Sequence, residues 1–384
     1  MSVYLIGGIR TPIGKTNGIL KNFLPEQLAA YTLNAILTRY HLGPENIDMV
    51  LLGNATGPGG NIARVAVLTA GWPYSNPAIS IDGQCGSGLN TLQFASALIE
   101  SGQADLVLAG GCESTTMAPQ RQFNVSDPRY DAENPYFSEA PFSPPTIGNP
   151  GIGEAAEKLA DTYKITREAM DLWAFQSHQK ALKAKNKNLL KNIILPLNDN
   201  NTAIINDECL RPSLTPRLLS RLPGAFMRKS KITAGNSCLK HDGAAVILLA
   251  SEHALQKYSL EPQAVILQNT ILGCDPNFFP LSPVSAVQKL LALAEIELHQ
   301  IACMEINEAF SVKILTCCHQ LNFPLEKVNI LGGALAYGHP YGASGAIITL
   351  HLLEALKSIN GKYGIATIGA VGGLGTAQLI ERIN

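Results

Sequence analysis

The chain has 384 residues, of which 46% are apolar and 15% charged, and its net charge at pH 7 is −1. A chain of this length is expected to fold as two or three units around large buried elements. The near-neutral balance excludes a surface built to steer nucleic acid, and no apolar run reaches the roughly 20 residues of a membrane-spanning helix. Eight cysteines without paired spacing read as reduced thiols, and Met1 to Gly8 lack the basic flank of a signal peptide. A soluble, cytoplasmic protein is therefore expected.

In chain order, the N-terminal third alternates apolar runs with helical patterns. Strands are expected at Val3 to Ile9, Met49 to Leu52, Pro77 to Ile81 and Asp105 to Ala109. Helices are expected near Glu26 to Tyr40, Ile62 to Ala70 and Leu89 to Ile99. Such alternation implies βαβ units and a largely parallel sheet. From Thr115 to Pro150 the composition turns to Pro, Asn, Ser and aromatic residues, a stretch too long for a simple connection. Helical patterns follow at about Gly153 to Tyr163 and Arg167 to Lys185, the second with Thr166 as its N-cap. An irregular basic stretch runs from Arg211 to Lys231, and Ala244 to Ala250 restores a buried strand. Residues from about 115 to 240 thus read as a loop domain inserted into an α/β core.

The C-terminal third repeats this grammar, with a strand near Ala264 to Gln268, helices near Pro283 to Glu295 and Glu308 to Gln320, and a Gly/Ser turn opening the helix Ala346 to Leu356. A final strand pair brackets Gly372 and Gly373. Each half holds a Gly/Ser turn, an apolar helix, a buried strand and a double glycine, so an internal duplication is expected. It would set the two turns face to face. The halves are taken as residues 1–255, including the insertion, and residues 260–384.

Cys85 stands in Asp82-Gly83-Gln84-Cys85-Gly86-Ser87-Gly88, where a strand gives way to a helix. The partial positive charge of a helix N-terminus favours thiolate over thiol, and the flanking glycines let a substrate approach closely. A second punctuated turn, Gly338-His339-Pro340-Tyr341-Gly342-Ala343-Ser344-Gly345, offers an imidazole as its base. A thiol of ordinary pKa is only a few per cent ionised at neutral pH, so the pairing has chemical sense.

These two turns form an ordered series with Ala109-Gly-Gly-Cys112-Glu113-Ser, Lys231-Ile-Thr-Ala234-Gly-Asn236, Asp242-Gly-Ala and Asn307-Glu308-Ala-Phe310. The series spans nearly the whole chain and resembles the thiolase family, the acetyl-CoA acetyltransferases and their 3-ketoacyl-CoA relatives. The resemblance implies duplicated α/β halves in a layered αβαβα architecture. It implies coenzyme A thioesters as substrates, no permanently bound cofactor or metal, and a homodimer or homotetramer. By the same resemblance Cys85 takes the acyl group, His339 activates it, and Asn307 acts with that histidine on the thioester oxygen of the second substrate. The backbone N–H groups of Cys85 and Val371 would form an oxyanion hole. Arg211, Ala234, Cys238 and Ile152 match positions that contact coenzyme A or border the acyl pocket. Cys238 replaces a usual serine and Ile152 a frequent methionine.

The pattern breaks in Ile365-Ala-Thr-Ile-Gly369-Ala-Val371-Gly-Gly-Leu-Gly375. Gly369 occupies the position of the family's second catalytic cysteine, and Val371 that of the first glycine of a triplet. A positioned acid-base group typically contributes ~10²- to 10⁴-fold, so proton transfer is expected to be impaired unless another group substitutes. Cys112 and Glu308 are the candidates weighed for that role, each with a plain structural alternative. Cys317, Cys318 and His319, consecutive on a helix, point in different directions and are expected to pack rather than ligate a metal. Arg211, Arg217, Arg221, Arg228, Lys229 and Lys231 form a cationic cluster suited to a nucleotide phosphate. Three functions follow from these residues. The first makes or cleaves a 3-ketoacyl-CoA C–C bond, and the second is a Cys-His-Asn acyltransferase or decarboxylative condensing enzyme. The third is a non-catalytic acyl-CoA-binding subunit.

Overall fold

The computed structural model of the protein describes residues 1–137, 139–200, 202–227 and 230–383. In the first half, strands β1 (Val3–Arg10), β2 (Gly14–Lys15), β3 (Met49–Gly53), β4 (Ala78–Ile81) and β5 (Leu106–Glu113) are interleaved with helices α1 (Pro25–Tyr40), α2 (Ile62–Thr69) and α3 (Ser87–Glu100). The insertion then supplies the pairs β6 (Arg121–Gln122) with β7 (Tyr136–Phe137) and β8 (Leu197–Asp199) with β9 (Thr202–Ile204). Its helices are α4 (Ile152–Thr162), α5 (Arg167–Asn186) and α6 (Pro216–Leu219), and it ends at β10 (His241–Ala250). After α7 (Glu252–Tyr258) the second half runs β11 (Ala264–Gly273), α8 (Ser282–Ala294), β12 (Ile301–Ile306), α9 (Ser311–Leu321), α10 (Ala334–Tyr337), α11 (Ser344–Ile359), β13 (Tyr363–Ala370) and β14 (Leu374–Arg382).

Strand order displays the duplication. The first half reads β3-β5-β10-β1 and the second β12-β13-β14-β11, with β4 added outside β3. In both halves the first neighbours are parallel and the next two pairs antiparallel. The halves join through Val3↔Ile266, Tyr4↔Val265 and Leu5↔Ala264. The expectation of a largely parallel sheet is corrected: the sheet is mixed. The tight turn at Gly372 and Gly373, both at positive φ, forces β13 and β14 to run antiparallel, and β10 returns from the insertion antiparallel to β5.

Apolar patterning sets the layers. Leu89, Leu92, Ala95 and Ile99 of α3 share one core with Ala346, Leu350 and Leu353 of α11 and with strand residues such as Val107, Ile247 and Ile368. A helix buried on nearly all sides belongs in the middle of a molecule. On the far face of the first half, α1 and α2 bury Leu28, Leu33, Ala63 and Val67, and on that of the second, α8 and α9 bury Val287, Leu290, Ile314 and Cys317. The result is five layers, αβαβα.

The starts of α3 and α11 meet where neither carries a side chain. A Cβ on Gly345 would lie 1.9 Å from the Leu89 nitrogen, and one on Gly88 would lie 2.6 Å from the Gly342 oxygen. Glycine at both positions is a steric requirement, and it brings the Gly/Ser turn of each half against the other.

Candidate active site

β4 delivers the chain to the turn that carries Cys85. Gln84 sits in the left-handed region at φ 54°, which a non-glycine residue holds only when its surroundings dictate it. Ser87 Oγ accepts the Gly83 N–H at 2.9 Å and donates to the Gln84 carbonyl at 2.6 Å, while Asp82 Oδ1 accepts the Gln84 N–H at 2.8 Å. The turn therefore fixes Cys85 just ahead of α3, with a small part of its surface open to a cleft.

Protein atoms otherwise enclose the sulfur, and burial pushes the Cys85 thiol up to about 11. The Lys313 ammonium pulls in the other direction, and Glu113 and Asp82 add to the rise. The expectation that the helix terminus leaves a thiolate is thus corrected for the unliganded protein, because desolvation outweighs it.

His339 comes from the loop between α10 and α11. Its backbone N–H donates to His241 Nδ1 at 3.1 Å, and its ring stands edge-on to Tyr341 with centroids 4.9 Å apart. Ser344 Oγ spends its proton on the Pro340 carbonyl at 2.8 Å, so at 2.6 Å it accepts from His339 Nδ1. The Nε2 atom is then unprotonated and accepts from Asn307 Nδ2 at 3.1 Å. This relay selects one tautomer and leaves Nε2 as the only basic nitrogen. Burial, with help from Lys313 and His241, pulls the imidazole down to about 3. The resting pair is accordingly a thiol and a neutral imidazole.

Cys85, His339, Gly369, Val371, Cys238 and Ile152 line one cleft with about 120 Å³ of free space. Phe142, Phe279, Phe310 and Tyr341 complete its apolar walls, and Arg121, Lys240 and Glu139 supply charge. The structure thus brings together residues from both halves and from the insertion. Asn307 is fully enclosed behind His339 and does not line the cleft, although its Oδ1 has no hydrogen-bond partner. Gly369 has no room for a side chain: an added Cβ would lie 2.6 Å from Ser282 Oγ, 2.8 Å from Pro283 Cδ and 2.9 Å from the Phe279 oxygen.

Other candidates lie elsewhere. Glu308 is wholly buried and accepts from Trp173 Nε1 and Asn329 Nδ2 on one oxygen and from Ser177 Oγ and the Leu335 N–H on the other. It ties α5 to the loop before α10 and is absent from the cleft lining. Cys112 packs with Leu108 and Val246 in the core facing α1 and α2, the opposite side of the sheet from α3. Arg211, Ala234, Arg217 and Arg221 are exposed, and none lines the cleft. Lys231 pairs with Asp161 at 2.7 Å, and Arg228 and Lys229 lie outside the described residues. Cys317 and Cys318 are buried in the core beside α8, while His319 is exposed. Among the described residues no group of three or more His, Cys, Asp or Glu side chains could hold a metal ion, and no helix is long and apolar enough to cross a membrane.

Three functional side chains escaped the sequence reading. Glu113, quoted only as part of a motif, accepts from Ala55 N–H and Gly342 N–H on Oε2 and from Asn54 Nδ2, Thr56 N–H and Thr56 Oγ1 on Oε1. Lys240, exposed one residue before β10, lines the cleft and belongs to no motif that marks it in the sequence. Lys313 follows the Asn307-to-Phe310 run, and a lysine inside an otherwise apolar helical face was the signal for it.

Comparison with known proteins identifies the family. Residues 3–253 match the family model for the thiolase N-terminal domain, and residues 260–382 that for the thiolase C-terminal domain. YhfS of Bacillus subtilis is 38% identical over 384 residues, covering 99% of each chain, and VraB of Staphylococcus epidermidis is 37% identical over 381, covering 98% of each. Both are provisionally named acetyl-CoA C-acetyltransferases. The crystal structure of the Bacillus anthracis acetyl-CoA acetyltransferase superposes with a TM-score of 0.91 at 32% identity, covering 100% of this chain and 99% of that one. Human mitochondrial 3-ketoacyl-CoA thiolase in complex with CoA gives 0.92 at 32% identity, covering 100% and 98%. The chain belongs to the thiolase family and is an acyltransferase of the acetyl-CoA C-acetyltransferase class.

Proposed function

We propose that the protein moves acyl groups between coenzyme A thioesters through an acyl thioester on Cys85, and that it makes or cleaves the C–C bond of a 3-ketoacyl-CoA. The carrying observation is that Cys85 and His339, from opposite halves, open onto one cleft with Gly369 and Val371. As sulfur attacks the thioester carbonyl, its proton passes to His339 Nε2. The carbonyl electrons move onto oxygen, toward the backbone N–H groups of Cys85 and Val371. Collapse then expels the coenzyme A thiolate, which recovers the proton from His339. Asn307, bonded to Nε2 in the resting protein, aims the imidazole and gives up that hydrogen bond as Nε2 takes the proton.

Gly369 stands where the family resemblance expects a second catalytic thiol, so proton transfer to or from the α-carbon rests on other groups and is impaired. Intact-mass measurement after incubation with acetyl-CoA tests the reading: a 42 Da gain (the mass of an acetyl group replacing one hydrogen, roughly) that Cys85→Ala abolishes supports it. No gain in the wild-type protein leaves only acyl-CoA binding without catalysis.

The space at Gly369 favours a second reading. Ser282, Pro283 and Phe279 fill the place of a side chain there, and a decarboxylative condensation needs no base at that point. Thiolysis of acetoacetyl-CoA measured against decarboxylation of malonyl-CoA separates the two. We further propose a cytoplasmic homodimer or homotetramer without metal or permanent cofactor, divided between residues 255 and 260. The open edge of β4, with Ile79 exposed, supports self-association.

A further inference from the structure

Lys313 stands at the third position of α9 with about 1% of its surface exposed. Its Nζ donates to the Gly369 carbonyl at 3.2 Å, and among the described residues it forms no ion pair with a carboxylate. Two costs attend this placement. An ammonium withdrawn from water without a counter-ion is expensive, and the N-terminal turn of a helix is the end where a cation is least welcome. Its neighbours on the helix, Val312, Ile314, Thr316 and Cys317, are ordinary buried residues, so a neutral side chain would fit the core better.

What lies across from the ammonium explains it. Gly369, whose carbonyl it holds, lines the cleft with Cys85 and His339. Burial pulls the pKa of Lys313 below the usual lysine value, and Cys317, on its own helix, and Cys85 act against that fall in favour of the ammonium. Burial weighs most heavily against the Cys85 anion, and Glu113 and Asp82 add to it. Lys313 and the residue's own backbone N–H favour the anion, and Lys313 is the one full positive charge among them. His339 is acted on by Lys313 and His241.

We propose that Lys313 is a positioning residue whose ammonium, anchored on the Gly369 carbonyl behind the cleft wall, stabilises negative charge on the Cys85 sulfur. The inference rests on the assignment of Cys85 as the acyl carrier. It gives the Gly369 position a use that needs no side chain: its carbonyl orients the cation that supports the nucleophile. No bond is made or broken at Lys313, and the proton of Cys85 still travels to His339.

The test is the pH dependence of Cys85 alkylation by iodoacetamide, followed by mass spectrometry of the Cys85 peptide in the folded protein. Lys313→Gln keeps a donor for the Gly369 carbonyl and removes the charge. Its alkylation rate at pH 9 is expected to fall about tenfold, with the profile displaced upward by about one unit, whereas Lys313→Arg stays within about threefold of wild type. A Lys313→Gln profile that superimposes on wild type overturns the proposal, as does a loss shared equally by Lys313→Arg. Should Lys313→Gln not fold, Lys313→Met read the same way serves in its place, and a wild-type-like profile there overturns the proposal too. Acetyl transfer to Cys85 in the wild-type protein is scored separately. Its absence defeats the acyl-carrier assignment, while its presence with an unmoved Lys313→Gln profile defeats only the role of Lys313.

Discussion

Glu113 Oε2 accepts the Gly342 backbone N–H at 2.9 Å, so a carboxylate at the end of β5 in the first half holds the loop that carries His339 in the second. The same side chain receives four further hydrogen bonds from Asn54, Ala55 and Thr56. All five partners donate, which matches a carboxylate and not an amide. Glu113→Gln turns an NH₂ group toward donors and leaves at least two of them buried and unpaired. At about 1–3 kcal/mol for each unsatisfied group, a loss of about 2–6 kcal/mol in urea unfolding is expected. The rate of Cys85 acetylation should fall about 10- to 100-fold as the His339 loop loosens. An unaltered acetylation rate would show that the loop holds its place without this link.

The resting thiol and imidazole have opposite displacements, Cys85 up to about 11 and His339 down to about 3. Only the thiolate reacts with an alkylating agent, so the alkylation rate of the unliganded protein should climb through pH 10 without levelling near 8.5. A plateau at pH 8 would show that the cleft ionises Cys85 unaided. The linkage signs follow from the same directions. The folded protein holds the Cys85 proton more tightly than the unfolded chain. Cys85 therefore favours the fold below about pH 9, and that contribution is lost as pH rises toward 11. His339 resists the proton its unfolded counterpart takes up. Its contribution is full above pH 6.5 and is lost as pH falls toward 3, at up to about 1.4 kcal/mol per unit. His339→Gln should remove that part of the acid sensitivity in pH-dependent unfolding, and a variant as acid-labile as wild type would count against it.

Much of the architecture was legible because its elements have clean periods. The helix expected at Arg167 to Lys185 with Thr166 as N-cap is α5, and Thr166 Oγ1 accepts the Ala169 N–H at 3.2 Å. The duplicated grammar of turns and double glycines corresponds to the repeated strand order. β12 escaped because its six residues include Glu305, fully enclosed with one oxygen unpartnered, which disguises a buried strand as a polar one. Antiparallel pairing was also missed, since alternation of strands and helices says nothing about the direction of a strand returning from a long insertion. At the site, the two punctuated turns that carry Cys85 and His339 were legible, and the structure sets both residues on one cleft. Burial was not: whether a helix terminus or desolvation sets the state of a thiol depends on atoms from α9 and the insertion that are remote in sequence.

Gly369→Cys appears from sequence to be a simple restoration of a thiol, and the packing argues otherwise. The new Cβ would press on Ser282 Oγ, which is itself committed to the Phe279 and Leu374 carbonyls at 2.8 Å each. Overpacking of this kind typically costs about 1–3 kcal/mol. Gly369→Cys alone is expected to lower the unfolding midpoint and to leave acetoacetyl-CoA thiolysis near the wild-type rate. Adding Ser282→Gly removes the nearest of the three obstructions and leaves Pro283 Cδ at 2.8 Å and the Phe279 oxygen at 2.9 Å. The double variant should therefore recover part of the lost stability and raise thiolysis by less than the full range of a positioned acid-base group, about tenfold at most. A single Gly369→Cys variant that gains activity at full stability would mean that β13 and the segment Phe279–Pro283 part easily.

Coenzyme A recognition sets two groups of cations against each other. The family resemblance points to Arg211, which is exposed on the insertion, whereas Lys240 and Arg121 line the cleft itself. Arg121 is already anchored, donating to the Gly57 carbonyl at 2.6 Å, while Lys240 is exposed. A mobile exposed lysine loses side-chain entropy when it grips a ligand and contributes modestly, about 0.2–1 kcal/mol by analogy with exposed ion pairs. Lys240→Ala should therefore raise KM for acetyl-CoA about two- to fivefold with kcat unchanged, the pattern of a contact made equally in ground and transition states. Arg211→Ala should do the same if the nucleotide extends across the insertion, and its effect should fade when acetyl-pantetheine, which lacks the nucleotide, replaces acetyl-CoA. Lys240 lies in the cleft lining, so its effect should persist with the shortened substrate. Loss of both effects with acetyl-pantetheine would move Lys240 from the pantetheine arm to the nucleotide end of the bound thioester.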